Sequence, residues 1–184
     1  MLCACCGNPE GESLCVKCEK AMMNTRNHWR MTKMIVGIDP GQTGALAFMG
    51  EGGMVESVHD MPIMARLHGK GQAVNAAELA SIILEHKPKK AILEAVSAMP
   101  GQGVSSTFRF GESFGVVLGV LGALQVPVKF IAPQTWKKKA GLIGKEKDAA
   151  RTMAIMLHPE ASDKLTRKKD CGRADAILIA KYGQ

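Results

Sequence analysis

The chain has 184 residues and a mass of 19.7 kDa, with 46% hydrophobic and 22% charged residues, too apolar for a disordered protein and long enough for one domain with a core of its own. No run of about 18 apolar residues predicts a membrane span, and the N-terminus lacks the basic-then-apolar pattern of a secretory signal, so a cytoplasmic protein is expected. Lys and Arg number 24 against 17 Asp and Glu, a net charge of +7, which favours a polyanionic partner.

Five of the six cysteines fall within the first 18 residues: Cys3, Cys5, Cys6, Cys15 and Cys18. Cys3 and Cys6 form one CxxC pair, and Cys15 and Cys18 form another. Each such turn presents two thiolates, and four thiolates close the tetrahedral shell of a structural Zn²⁺. A piece this small has no core, so metal binding would supply its folding energy. Residues 1–20 are therefore expected to be a zinc module on one Zn²⁺. Cys5 is left over, as a free thiol or a competitor of Cys6. Disulfides fit poorly with a reducing compartment. Residues 21–33 read as a linker. Arg26, Arg30 and Lys33 with His28 and Trp29 could touch a nucleic-acid backbone and a base, or simply be solvated.

From residue 34 the pattern changes. Residues 34–39 read as a buried strand ending on Asp39, 40–44 as a turn, 45–49 as a second strand, 51–53 as a tight turn and 54–60 as a third strand. Two hairpin connections imply antiparallel pairing. Residues 61–74 read as a loop carrying Arg66, His68 and Lys70. Asn75, with Glu78 three residues on, is a capping box that starts a helix, which Lys87-Pro88 stops. Residues 91–94 are a buried strand ending on Glu94. A Gly-rich loop at 99–104 precedes a helix over 105–124, with glycines at 111, 115, 119 and 122. A strand at 127–132 is followed by helices over 133–139, 145–157 and 173–182. Three antiparallel strands, then βα units adding parallel strands, give an α/β fold: a mixed five-stranded sheet flanked by helices.

Asp39 and Glu94 end two strands that such an order can bring side by side, at the sheet edge where α/β proteins place their sites. Adjacent carboxylates repel unless a cation lies between them, and Mg²⁺, with its hard oxygen ligands, is the natural one. Ordinary turn-capping acids are the alternative reading.

Here a resemblance becomes specific. The stretch MIVGIDPGQTGALA at 34–47 resembles the first motif of RuvC-type Holliday junction resolvases, of the RNase H-like superfamily, and AILE at 91–94 is similar to their second. KKDCGRADAILIA at 168–180 resembles the closing acidic motif of the phage-type members, and residues 99–111 and PQTWK at 133–137 also look like that branch. The likeness covers 34–184 and excludes the cysteine module. It implies an RNase H-like nuclease domain and a metal-dependent endonuclease that cuts four-way and other branched DNA by paired nicks as a homodimer. It also implies a phage or prophage origin with action in the host cytoplasm. Asp39, Glu94 and Asp175 match the family's acids and would hold two Mg²⁺ ions, for which Mn²⁺ can substitute, about 4 Å apart.

Two departures stand out. Bacterial members carry a second acid three residues before the last one, where this chain has Gly172. The nearest acid is Asp170, about 140° away on a continuous helix, so Asp170 is expected in a loop, free to turn inward as a further Mg²⁺ ligand, or else as a helix-capping acid. The family's base-stacking aromatic is replaced by Ser97. Phe108 and Phe110 are candidates for that part, with core packing the expected role of both. By motif position Lys137 and Lys147 match catalytic lysines near the scissile phosphate. Together with Lys138, Lys139, Lys145 and Arg151 they form a basic cluster expected to bind DNA phosphates, and Lys168 and Lys169 could also meet phosphate. A pre-16S rRNA nuclease-like enzyme acting on RNA keeps the same acids. An actin-like kinase fold shares only the first loop and needs about twice this length, and a non-catalytic zinc protein would not need the acids.

Overall fold

The computed structural model describes residues 33–184 apart from His68, Val96, Ala98, Met99, Pro100, Gln102 and Lys147. The zinc-module cysteines Cys3, Cys6, Cys15 and Cys18, residues 21–32 of the linker, and Lys147 thus lie outside the described residues.

Strands β1 (Ile35–Asp39), β2 (Ala45–Met49) and β3 (Val55–Asp60) form an antiparallel meander. The segment between β3 and the first helix, expected to be loop, holds a small separate hairpin of β4 (Ile63–Ala65) and β5 (Gln72–Val74). Helix α1 (Ala76–His86) follows, capped as expected: Asn75 Oδ1 accepts from the Glu78 N–H at 3.3 Å, and Asn75 Nδ2 donates to Glu78 Oε2 at 3.1 Å. Lys87 ends the helix in the left-handed region at φ 48°.

Strand β6 (Lys90–Glu94) returns to pair parallel with β1. Helix α2 (Val104–Ala123) leads to β7 (Val128–Ile131), parallel to β6. The sheet order is β3-β2-β1-β6-β7. Helix α3 (Pro133–Lys139), helix α4 (Ala149–Leu157), two 3-10 turns (Pro159–Lys164 and Lys168–Asp170) and helix α5 (Cys171–Tyr182) complete the chain. Two boundaries differ from expectation. Turns with Gly141 and Gly144 at positive φ delay α4 to Ala149, and α5 begins at Cys171 rather than 173.

The alternating strand residues split the core in two. Val36, Ile38, Leu46, Phe48, Ala91 and Leu93 face α1 and α2, whereas Ile35, Ala45, Ala47, Met49 and Ile92 face α4 and α5. Helix α5 lies directly on β1: a Cβ on Gly37 would collide with the Ala176 carbonyl and the Ala180 amide. This backbone-on-backbone approach, with Ala174, Ala176 and Ala180 fully buried, brings the start of α5 to the carboxyl end of β1. No helix of the described residues is long and apolar enough to cross a membrane.

Candidate active site

The parallel register pairs Ile38 with Leu93, so Asp39 and Glu94 are the next residues along neighbouring strands, both at the carboxyl edge of the sheet. The loop after β1 folds back hard. Gly44 donates to the Gly41 carbonyl at 2.9 Å, and a side chain at Gly44 would run into the Asp39 backbone and carboxyl. The Gly41 N–H donates to Asp39 Oδ1 at 3.2 Å. Trp136, fully buried on α3, donates its indole N–H to Glu94 Oε1 at 2.7 Å. These bonds fix one oxygen of each acid, and no hydrogen bond from the described residues reaches Asp39 Oδ2 or Glu94 Oε2 in this arrangement.

Burial pushes the Asp39 carboxyl above its ordinary range, against the Gly41 N–H and the field of Lys137. Burial and then the neighbouring Asp39 charge push Glu94 up, against the Trp136 bond and Lys137. Two desolvated carboxylates, one of them raised further by the charge of the other, are an anion pair short of positive charge. Lys137, half-buried with its ammonium 5.2 Å from the Trp136 ring centre, acts on both.

A cavity of about 650 Å³ opens here, lined by Asp39, Thr43 and Asp175, by Glu146 and Asp148, and by Lys168 and Lys169. Asp175 thus reaches the Asp39 cavity from α5. Gly172, three residues before it, lies against the first loop, where a side chain would collide with the Thr43 carbonyl. No acid fits at that position with this packing.

Asp170 is turned inward as expected, 3% exposed, but it is not free. It accepts from the Arg167 N–H at 2.8 Å and from the Arg167 guanidinium at 2.7 and 3.1 Å, with Arg173 Nη1 at 3.9 Å. Arg167 holds its carboxyl below the usual range. Its side chain thus bonds back to Arg167 across the turn Lys168–Asp170 and makes no capping bond to α5.

The basic cluster divides. Lys138, Lys139 and Lys145 are exposed, and Lys139 also donates to the Tyr182 carbonyl at 2.8 Å. Arg151, expected to meet phosphate, donates to both Asp148 oxygens at 2.7 and 2.8 Å and to the Leu165 carbonyl at 2.9 Å, which uses three of the five guanidinium N–H groups. Phe108 is 68% exposed rather than core, whereas Phe110 packs within reach of Gly41. The sequence reading gave Trp136 no role, although a Trp beside a motif lysine in a chain with 4% aromatics was the available signal.

Among the described residues no three His, Cys, Asp or Glu side chains close around a common point. The donors are oxygen atoms spread about an open cavity. That suits a hard cation such as Mg²⁺, which binds through one or two carboxylates and fills its remaining positions with water and phosphate oxygens.

The sheet order, the helices on both faces and the acid-bearing edge define an RNase H-like fold of the RuvC type. The chain is similar to *Thermus thermophilus* RuvC solved in complex with a Holliday junction substrate, with a TM-score of 0.55, 16% identity and coverage of 82% of this chain and 94% of that one. The yeast mitochondrial Holliday junction resolvase Ydc2 gives a TM-score of 0.51, covering 86% of this chain and 82% of that one. In sequence, 91 residues are 36% identical to the chloroplastic Holliday junction resolvase MOC1 of *Chlamydomonas reinhardtii*, which is 49% of this chain and 10% of that protein. The chain thus matches about a tenth of the length of that curated relative. No family model matches the chain.

Proposed function

We propose that this protein is a Mg²⁺-dependent endonuclease that nicks four-way DNA junctions, and other branched DNA, in symmetric pairs. The observation that carries this reading is the pair of desolvated carboxylates, Asp39 and Glu94, on adjacent parallel strand ends, with Asp175 facing the Asp39 cavity and Lys137 acting on both members of the pair. The likeness to proteins named for Holliday junction resolution supports the substrate.

Asp39, Glu94 and Asp175 would hold the divalent ions, two in number in this proposal. When bound, such ions activate a water and stabilise the leaving oxygen of an in-line displacement. The residues of the chain do the rest. Gly41 and Trp136 orient the two carboxylates by fixing one oxygen of each, and the buried floor under Glu94 keeps water from screening them. Lys137, with Lys147, would neutralise charge growing on the scissile phosphate. Lys168 and Lys169 at the cavity mouth, with Lys138 and Lys145, would take flanking phosphates. Asp170 would join the ion-holding acids only by exchanging its bonds to Arg167.

Paired cuts need two sites, which a C2 dimer supplies. The face of α2 carrying Gly111, Gly115, Gly119 and Gly122 supports this, because an added Cβ at any of them meets nothing within 4 Å among the described residues. The N-terminal cysteines would carry one Zn²⁺ outside the nuclease chemistry, which metal analysis of purified protein can test.

One gel tests the main reading. A four-way junction, a flap, a linear duplex and an RNA duplex are offered with Mg²⁺ or with EDTA. Ligatable, symmetric nicks near the crossover, seen only with Mg²⁺, are expected. Cutting of the RNA duplex in preference to the junction would replace this reading with the RNA nuclease.

A further inference from the structure

Arg173, in the first turn of α5, is bonded to the end of β3. Its Nε and Nη2 each donate to one oxygen of Asp60 at 2.6 Å, and Nη1 donates to the Lys164 carbonyl at 3.0 Å. The Arg173 side chain is 18% exposed and that of Asp60 65%. A two-pronged pair of this kind fixes direction as well as distance. None of the three residues lines the Asp39 cavity.

The pair closes a ring of contacts around the first loop. On the β3 side, the N–H of Met61, next after Asp60, donates to the Gly44 carbonyl at 3.0 Å. On the α5 side, Gly172, next before Arg173, lies so close to the Thr43 carbonyl that a side chain there would collide. Thr43 and Gly44 are thus held between the chain neighbours of Asp60 and of Arg173. Within the sheet, Asp60 pairs with Ala45 and Ala45 with Asp39, so these three lie in one row across the strands. Residues 173 and 175 point about 200° apart on a helix. Helix α5 is therefore held to the Asp39 row through one side and presents Asp175 to the cavity from the other.

We propose that the Arg173–Asp60 pair positions Asp175, holding it in register with Asp39 so that the two carboxylates can share ions. The inference rests on the ion-dependent reading above and adds to it two residues that touch neither ion nor DNA. The cavity gathers Asp39, Asp175, Glu146 and Asp148, and like charges there push the start of α5 away from β1. The packing of Gly37 on Ala176 and Ala180 sets how near α5 comes to β1. Arg173 sets how its first turn is rotated. Asp60 is open to water, so the pair contributes little to folding, and its effect falls on geometry. Mg²⁺ demands near-ideal octahedral geometry, so a first turn that drifts loses ion affinity before it loses the fold.

The test uses the full chain and reads ion binding directly, by calorimetric titration with Mn²⁺ alone. Junction binding in EDTA and nicking across a Mg²⁺ series are measured beside it. Arg173→Met and Asp60→Asn should each weaken Mn²⁺ binding about tenfold, the usual effect of losing a group that orients metal ligands. Each should raise the Mg²⁺ needed for half-maximal nicking by the same factor. The rate should recover at saturating Mg²⁺, and junction binding in EDTA should not change. The double variant should be no worse than either single one, because the pair acts as a unit. Arg173→Lys keeps the charge but not the fork, and should fall between wild type and Arg173→Met. Asp60→Asn keeps the shape of the side chain, so it stays informative if Arg173→Met does not fold. Unchanged Mn²⁺ affinity in the single variants would overturn the proposal, whatever their melting temperatures, as would losses that add in the double variant. Mn²⁺ binding that both variants weaken, without nicking of any branched DNA, would keep the positioning pair and remove the resolvase reading. Mg²⁺-dependent junction nicking with Mn²⁺ affinity untouched by either variant would do the reverse.

Discussion

Asp39 and Glu94, the proposed ion ligands, illustrate how a buried carboxylate opposes the fold that carries it. Both carboxyls are raised by burial, so the native state holds protons more tightly than the unfolded chain there. Stability therefore falls as pH rises from the ordinary carboxylate range through the raised values, and the full cost persists at neutral pH. Asn and Gln keep the oxygens that accept from Gly41 and Trp136 but carry no charge. Asp39→Asn and Glu94→Gln should each lose junction cutting while melting higher than wild type at pH 7, by on the order of 1 kcal/mol. The advantage should vanish below the ordinary carboxylate pKa, where wild type is protonated in both states. Thermal melts across pH would check this, and a lower Tm for both variants at pH 7 would contradict the charge argument. Gly172 gives the complementary case. Its missing side chain makes room for the Thr43 carbonyl, so Gly172→Ala should cost about 1–3 kcal/mol by overpacking. Gly111→Ala, facing open space among the described residues on a helix, should gain up to about 1 kcal/mol in the monomer. The pair can be compared by urea denaturation.

At the scale of elements, what could be read from the chain was what neighbouring residues decide. The acids at the ends of β1 and β6 were legible because a buried apolar run that stops on Asp or Glu is a local signal. The Asn75–Glu78 cap was legible for the same reason. The β4–β5 hairpin was not, since three-residue strands carry no alternation to detect. The charge of Arg151 is visible in sequence and its partners within the fold are not: one is the Leu165 carbonyl, beyond the end of its own helix. Asp170 likewise needed Arg167 placed in space before its role emerged. Glu160 is a long-range clamp of this illegible kind. From the turn Pro159–Lys164 it accepts the Val55 N–H of β3 at 3.0 Å and pairs with His158 at 3.1 Å. The Val55 bond, first, holds its carboxyl below the usual range. Its contribution is thus present above the ordinary glutamate pKa and is lost as pH falls through the lowered folded value. Glu160→Gln should lower Tm modestly at pH 7, and the difference should shrink as wild type is acidified into that window. A difference that did not change with pH would mean that the clamp acts through shape alone.

For the whole molecule, the paired nicks proposed above would need two sites brought together, and α2 is where the fold leaves room for a second copy. Glycines in a helix interior are unfavourable by roughly 1 kcal/mol each relative to Ala, and at 111, 115, 119 and 122 nothing among the described residues requires their lack of a Cβ. A second copy approaching closely along this face would supply a stabilising reason. The two effects have opposite signs and can be separated. In a monomer, replacing Gly115 and Gly119 together by Ala should raise the melting temperature. In a dimer packed on this face, the added methyl groups should hold the helices apart and weaken association by tenfold or more. Sedimentation velocity over a dilution series, run beside thermal melts at the lowest concentration, reads both. A variant that melts higher and dissociates more readily places the dimer seam on α2. It should then nick only one strand of a junction per binding event, because the second site leaves before it can act. A variant that melts higher with unchanged self-association, and with paired nicks intact, would move the seam to another face.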